Sequence, residues 1–249
     1  MSQGDSPQTY VDDDRRAAAT NRSFTRRGGR MPPRHHRALE VHGPAYLLSP
    51  PIEGTSVAAG FVLDLPAAFG RTAPLVVEIG SGSGDCVVAA AAEHPEWDFL
   101  AVEVWRPGIA QTLAKAAQAQ VGNLRVLRAD AAGVVATALP AASVDQLWTF
   151  FPDPWPKAKH HKRRLVDPMF AVDVARVLRP GGLWRLATDW EDYAQQMRDV
   201  LREAPGFEPG AEYGDRFDGR VMTRFERKGI EAARAVRDIV VRRADATDQ

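Results

Sequence analysis

The stretch "LVVEIGSGSGD", residues 75–85, decides the fold of this chain. Its first half is a short, β-branched apolar run, which is typical of a buried parallel strand. Its second half places Gly80, Gly82 and Gly84 in a G-x-G-x-G spacing. Because glycine has no Cβ, the backbone can turn tightly there and approach a ligand closely. The stretch therefore predicts the first strand-turn-helix unit of an α/β domain, with a ligand site at the turn.

The chain beyond this stretch alternates strand and helix patterns. Such alternation predicts a doubly wound, mostly parallel Rossmann-like sheet with helices on both faces, and we expect seven strands. We expect further strands at 98–104, 123–130, 144–151, 181–189 and 220–229, and helices at 86–93, 108–120, 167–178 and 190–201.

Composition divides the chain into four parts. Residues 1–22 are polar and aperiodic and predict a disordered tail, 23–73 form a basic N-terminal arm and leader, 74–240 form the α/β domain, and 241–249 form a flexible C-terminal tail. No apolar run approaches the length of a membrane span, and no secretory h-region is present. With a single cysteine, Cys86, we expect a cytoplasmic protein without disulfides, metal or membrane contact, and both a monomer and a homodimer are compatible.

Positive charge is concentrated in two blocks, although the net charge is zero. Residues 15–39 contain no acid, and neither does "KAKHHKRR" (157–164). Acidic residues elsewhere do not shield such blocks, since screening acts over about 10 Å. The blocks predict contacts to RNA phosphates. The candidates are Arg26, Arg27 and Arg30 in the first block, and Lys159, His160, His161, Lys162, Arg163 and Arg164 in the second.

Carboxylates follow or end three successive predicted strands. Glu103 lies roughly 20 residues beyond the glycines, where an acid commonly accepts from ribose hydroxyls. Asp130 ends the next strand, and Glu78 lies inside the first. A dinucleotide fingerprint would need a third glycine where Asp85 stands, and a carboxylate there competes with a pyrophosphate. The pattern therefore favours a nucleoside ligand without phosphates over NAD.

"FFPDPWPKAKHHKRR" (150–164) follows the fourth predicted strand. Asp153 stands between two prolines and is followed by Trp155 and the basic block. An aromatic ring that stacks, a carboxylate that accepts from base N–H groups and cations that hold phosphates are what an unpaired base requires. This stretch predicts a nucleic-acid base as the substrate.

Four segments, "EIGSGSGD", "FPDPWPKAKHHKRR", "ATDWEDY" and "TRFERKG", resemble signatures of the bacterial tRNA (guanine-N7-)-methyltransferase family, over roughly residues 22–235. The resemblance implies methyl transfer from S-adenosylmethionine to a guanine in the variable loop of tRNA. Pro156 departs from the family pattern, where a polar residue is expected. The resemblance implies cofactor contacts at Glu78, Glu103, Asp130 and Asp153, and substrate contacts at Lys157, Asp189, Thr223, Arg224, Phe225 and Glu226.

The chemistry of guanine agrees with this implication. N7 carries a free lone pair, so a carboxylate at Asp153 would orient the ring and balance its developing positive charge rather than remove a proton. Chemistry alone leaves other readings open: Asp189 could begin the next helix, and Thr223 and Glu226 could face solvent on an edge strand. Other functions also remain open, namely amino-group or small-molecule methylation, a non-catalytic RNA-binding protein of this fold and, least favoured, an NAD oxidoreductase.

Overall fold

The computed structural model describes residues 23–24 and 31–245. Its strands are β1 (Leu47–Leu48), β2 (Ile52–Glu53), β3 (Ser56–Val57), β4 (Leu75–Ile79), β5 (Asp98–Val102), β6 (Leu124–Leu127), β7 (Val144–Phe150), β8 (Leu178–Thr188), β9 (Tyr213–Gly214) and β10 (Arg237–Arg242). Its α-helices are α1 (Pro33–Tyr46), α2 (Leu65–Phe69), α3 (Asp85–Glu93), α4 (Arg106–Gln118), α5 (Ala131–Gly133), α6 (Pro168–Val177), α7 (Glu191–Glu203) and α8 (Arg224–Glu231). A π-helix, Val134–Ala138, continues α5, and a 3₁₀ helix spans Ala158–Arg163.

One large sheet organises the chain, with the strand order β1-β6-β5-β4-β7-β8-β10-β9. The first six strands in this order, from β1 to β8, are parallel to one another. Strand β10 pairs antiparallel with both of its neighbours, β8 and β9. The chain begins the central part at β4, moves outward through β5 and β6, and then returns to the other side of β4 as β7. The switch of direction therefore lies at β4, which is where open α/β sheets bind ligands.

Successive residues of the central strands belong to two different cores. Val76 packs with α3 and α4 on one face, and Val77 packs with α6 and α7 on the other. Both side chains are almost completely buried. This alternation follows from the two-residue period of a strand, and it confirms the predicted doubly wound, mostly parallel fold. No helix in the described part of the chain is long and apolar enough to cross a membrane.

The structure differs from the predicted elements at the two ends of the sheet. The sheet has eight strands rather than seven, because Leu47–Leu48 of the leader pairs beside β6. The strand predicted at 220–229 is wrong: Thr223 accepts a hydrogen bond from the Glu226 backbone N–H and starts helix α8. The last long strand is instead Arg237–Arg242, which continues two residues into the expected flexible tail.

One face of α4 shapes the turn that follows β4. Gly108 lies against the carbonyl of Gly82, and a Cβ on Gly108 would stand only 2.2 Å from that oxygen. One turn later, Thr112 fills the space beside Gly84. Further along, the Lys115 ammonium donates to the Ser83 carbonyl at 2.8 Å. The spacing of three to four residues places Gly108, Thr112 and Lys115 on one face of α4, and this face contacts the glycine turn that follows β4.

We expect Gly108→Ala to destabilise the protein by about 1–3 kcal/mol, because the added methyl meets backbone that cannot move aside cheaply. The control is Gly122→Ala, where a Cβ would have no atom within 4 Å. Urea unfolding of both variants measures the difference. A Gly108→Ala midpoint equal to that of Gly122→Ala would contradict the proposed close contact.

Candidate active site

The carboxyl ends of β4, β5, β6 and β7 surround one pocket. Five residues that the sequence singled out line it together, namely Gly80, Gly82, Glu103, Asp130 and Asp153. Apolar side chains complete the wall, and Ser23 and Phe24 of the leader reach its mouth. The other apolar lining residues include Trp105, Phe150, Phe151 and Leu165. The structure thus brings the strand-end carboxylates and the loop carboxylate to one cavity.

The glycine turn has the backbone shape that the spacing predicts. Gly80, Gly82 and Gly84 all have φ in the left-handed region, at +68°, +58° and +74°. Residues with a Cβ rarely adopt this conformation. Gly80 and Gly82 border the pocket, whereas Gly84 faces α4 and does not line the cavity. The three glycines therefore have two roles, ligand approach and packing.

Glu103 fixes the wall between β4 and β5. Its Oε2 accepts a hydrogen bond from the Gly82 N–H at 2.7 Å. Its Oε1 accepts from the N–H groups of Val104 and Trp105, at 2.7 and 2.8 Å. Asp130 acts similarly on the neighbouring strand, where it caps α5 by accepting from the Ala132 N–H. Both carboxylates are buried yet border the pocket.

Glu78 lies in β4, two residues before the glycine turn, and is not among the residues that line the pocket. Its side chain is buried in β4, and its Oε2 has no hydrogen-bond partner among the described residues. Burial raises the pKa of Glu78 to about 8, and the nearby carboxylates of Glu103 and Asp85 add to this effect. An acid held in this way carries an electrostatic cost that a cationic or hydrogen-bond-donating ligand would reduce.

Asp153 lies in a loop whose backbone is strained on both sides. Phe151 and Trp155 have φ of +52° and +45°, values that non-glycine residues seldom adopt. The Trp155 indole N–H donates to the Ser23 carbonyl at 3.1 Å, which ties the loop to the leader. Such strain persists only where surrounding contacts enforce it, and it is common at functional sites.

The basic segment after this loop is a 3₁₀ helix, so its side chains repeat every three residues. The first face lies on Trp155, where the Arg163 guanidinium is 4.0 Å from the ring centroid and His160 meets the ring edge. The second face carries His161, whose Nε2 lies 3.6 Å from the Asp192 carboxylate of α7. The third face, Lys159 and Lys162, is exposed, as is Lys157 just before the helix. Partial burial, together with the charges of Lys159, Arg163, Lys157 and Lys162, lowers the pKa of His160.

Arg164, a predicted RNA contact, is buried in this structure. Its side chain is only 1% exposed. Its guanidinium donates to the Pro154 carbonyl at 2.9 Å, to Gln196 at 2.8 Å and to Asp192 at 2.7 Å. These bonds join the Asp153 loop to α7, so Arg164 is an internal brace. Arg26, Arg27 and Arg30 lie outside the described residues.

Three further predicted substrate residues, Asp189, Thr223 and Glu226, do not line the pocket. Asp189 follows β8 and pairs with Arg234 at 2.7 Å. Thr223 caps α8, and Arg224 and Phe225 form the first turn of that helix. The Glu226 carboxylate is buried between Arg216, at 2.8 Å, and Arg220, at 3.1 Å. The Glu226 carboxylate is therefore engaged by these two arginines in this structure.

Sequence reasoning missed Arg220, which links the C-terminal segment to the pocket. Its buried guanidinium pairs with Asp238 through both terminal nitrogens and also contacts Glu226. It lies over the rings of Phe150 and Phe151, at 5.3 and 5.5 Å from their centroids. No local pattern reveals it, because arginine is usually exposed and its partners are distant in sequence.

In residues 23–24 and 31–245, no group of three or more His, Cys, Asp or Glu side chains could hold a metal ion.

Comparison with known proteins identifies the family. A family profile described as "Putative methyltransferase" matches residues 72–239. A tRNA (guanine-N(7)-)-methyltransferase from Cutibacterium acnes is 50% identical over 229 residues, which cover 90% of this chain and 83% of the relative. One from Nocardioides sp. is 48% identical, with 90% and 88% coverage. The chain belongs to the tRNA (guanine-N(7)-)-methyltransferase family.

Solved structures of methyltransferases share the fold of this family member. The 16S rRNA methyltransferase KamB superimposes with a TM-score of 0.54 at 17% identity, over 76% of this chain and 99% of that chain. The aminoglycoside resistance methyltransferase NpmB1 gives a TM-score of 0.52 at 16% identity, over 76% and 97%. At these identities the likeness concerns the fold alone.

The buried Glu78 predicts a pH dependence of stability. The folded protein keeps a proton on Glu78 up to about pH 8 that the unfolded chain releases near pH 4.5. Stability from this group therefore falls as the pH rises through that window. Glu78→Gln cannot titrate, so its melting temperature should gain on the parent between about pH 5 and about pH 8.

Thermal melts across this range measure the effect, and the exposed Glu93→Gln serves as the control. Melting curves of Glu78→Gln and the parent that stay parallel with pH would contradict it.

The internal position of Arg164 predicts a contrast with Lys162, two residues away. Arg164→Met should lower the free energy of unfolding by about 1–3 kcal/mol, because it leaves the Pro154 carbonyl and Gln196 without their donor. Lys162→Met changes an exposed side chain and should stay within about 0.5 kcal/mol of the parent. Urea unfolding of the two variants measures the difference. Equal midpoints would contradict the internal, hydrogen-bonded position of Arg164.

Proposed function

We propose that this protein transfers the methyl group of S-adenosylmethionine to N7 of a guanine in tRNA, the guanosine lying in the variable loop. The observation that carries the proposal is the pocket at the switch point of the sheet. Asp153 lies there with Glu103 and Asp130, directly before an exposed basic segment. Membership of the tRNA (guanine-N(7)-)-methyltransferase family supports the reaction and the substrate.

The residues around the pocket fit S-adenosylmethionine. The left-handed turn at Gly80 and Gly82 leaves room for close approach, and Glu78 Oε2 is buried without a partner among the described residues. When bound, S-adenosylmethionine supplies a methyl group activated by a sulfonium cation. Glu103 and Asp130 are suited to accept from ribose hydroxyls and the adenine amino group.

The first turn of α3 argues against a pyrophosphate ligand. Asp85 occupies that turn and accepts from Lys115 at 2.5 Å and from Ser83 at 2.7 Å. The hydrogen bond and charge of Lys115 keep the pKa of Asp85 below its usual value, against the opposing effect of partial burial. A fixed carboxylate at a helix N-terminus occupies the position that a phosphate would take. This supports a nucleoside donor over a dinucleotide.

Asp153 is the residue we assign to catalysis. Guanine N7 attacks as a neutral nitrogen, so the enzyme does not need to remove a proton first. Positive charge grows on the purine ring during transfer, and a carboxylate fixed by a strained loop can orient the ring and balance that charge. We place the exposed Lys157, Lys159 and Lys162 on the phosphates of the RNA.

The activity is tested by incubating the protein with labelled S-adenosylmethionine and tRNA, and digesting the product to nucleosides. We expect 7-methylguanosine, and we expect a transcript whose variable-loop guanosine is replaced to accept no label. A labelled adenosine or cytidine, modified on its amino group, would overturn the proposed target. Label in the altered transcript would overturn the proposed position.

Asp153→Asn keeps the shape of the side chain and removes its charge. We expect turnover to fall by about 10²–10³-fold at saturating tRNA, while the protein remains folded. Asp199→Asn, on the exposed face of α7, is the control and should turn over like the parent. Because N7 needs no deprotonation, the parental rate should show no essential base near neutrality. Parental turnover by Asp153→Asn would remove this residue from the mechanism.

A further inference from the structure

Two arginines stand together on the side of the pocket away from the basic segment. Arg106 is the first residue of α4, and Arg128 directly follows β6. The register of the sheet brings them close, because Val102 pairs with Leu127 and the Glu103 N–H donates to the Leu127 carbonyl at 3.1 Å. Their chain neighbours Trp105 and Ala129 line the pocket, while both arginines are exposed.

No acidic side chain in the described part of the chain balances the positive charge of this pair. Among residues 31–245, neither guanidinium has an acidic partner. By contrast, Arg71, Arg179 and Arg237, whose side chains are 37–43% exposed, each form an ion pair. Partial burial and the charge of Arg106 lower the pKa of Arg128, so the two cations act on each other.

The helix beneath the pair increases this imbalance. Arg106 occupies the first position of α4, where the helix dipole is positive, and no acidic residue lies in that first turn. A cation at this position costs stability, whereas an acid would stabilise the helix. Three sources of positive potential, Arg106, Arg128 and the helix end, therefore meet at one exposed point. An anion bound there would relieve all three.

The strand order places this point across the pocket mouth from the lysines. The basic segment follows β7, whereas the arginines follow β5 and β6, on the other side of β4. Neighbouring strands are about 4.8 Å apart, so two to three strand spacings, roughly 10–15 Å, separate the strand ends from which the two positive regions extend. An RNA strand that inserts one base between them leaves its backbone within reach of both.

We propose that Arg106 and Arg128 form a second phosphate-binding point, which holds the tRNA backbone on the far side of the inserted guanine. This proposal rests on the proposed function, because it requires tRNA as the substrate. The pair would fix the direction in which the strand crosses the pocket, while the lysines hold the opposite side. The carboxylate of a bound methyl donor is the alternative anion for this pair, and the experiment separates the two.

The test is the salt dependence of tRNA binding by Arg106→Gln/Arg128→Gln. Each lost phosphate contact should reduce the slope of log Kd against log salt by about 0.7–0.9. The control, Arg179→Gln/Arg242→Gln, removes two charges from the amino-terminal edge of the sheet and should keep the parental slope. Binding of S-adenosylhomocysteine should equal that of the parent in both variants.

A third variant separates binding from stability. Arg106→Glu should hold or raise the melting temperature, since an acid suits the first turn of α4, yet it should weaken tRNA binding more than Arg106→Gln does. A parental salt slope in the double variant, with tRNA bound by the parent, would overturn this proposal alone. Weakened S-adenosylhomocysteine binding would assign the pair to the donor carboxylate instead. A parental protein that neither binds nor methylates tRNA would overturn the proposed function.

Discussion

The hydrogen bond from the Gly82 N–H to Glu103 is the contact on which the pocket depends. It joins the turn after β4 to the end of β5, and the same carboxylate also holds the first residues leading into α4. Gly108 of α4 then packs on the Gly82 carbonyl. A single buried acid therefore sets the distance between two strand ends and the angle at which a helix leaves them. The carboxylate is structural and also borders the ligand cavity.

Two internal arginines join separate elements around the Asp153 side of the pocket, as Glu103 joins β4 and β5 on the other side. Arg164 ties the Asp153 loop to α7, and Arg220 ties β10 and α8 to the aromatic rings under the pocket. Burying a guanidinium is costly unless its donors are satisfied. The contacts of Arg164 and Arg220 are consistent with a role in positioning Asp153, because a strained loop keeps its conformation only while its surroundings are rigid.

Much of the fold was predictable from local pattern, and the exceptions have physical causes. The β-branched run at 75–79 and its glycines suffice to predict a buried strand and a left-handed turn, because both signals are local. Around Thr223 the helix-capping hydrogen bond outweighs the strand-like pattern. At the site, the strand-end acids were predictable from spacing. The inward position of Arg164 was not, because it depends on partners in the Asp153 loop and on α7 that no local pattern reveals, while Lys162 of the same basic segment stays exposed.

Glu78 connects stability to the choice of ligand. Its carboxyl is buried near Glu103 and Asp85, and each of these carboxylates raises its pKa further. A phosphate would add negative charge to this group of acids, whereas a sulfonium and an ammonium would offset it. The folded protein without a ligand therefore carries an electrostatic cost that the proposed cationic donor reduces on binding. If the proposed function holds, the acids that oppose a dinucleotide favour S-adenosylmethionine at this edge of the sheet, and the positive charge beyond it favours the RNA.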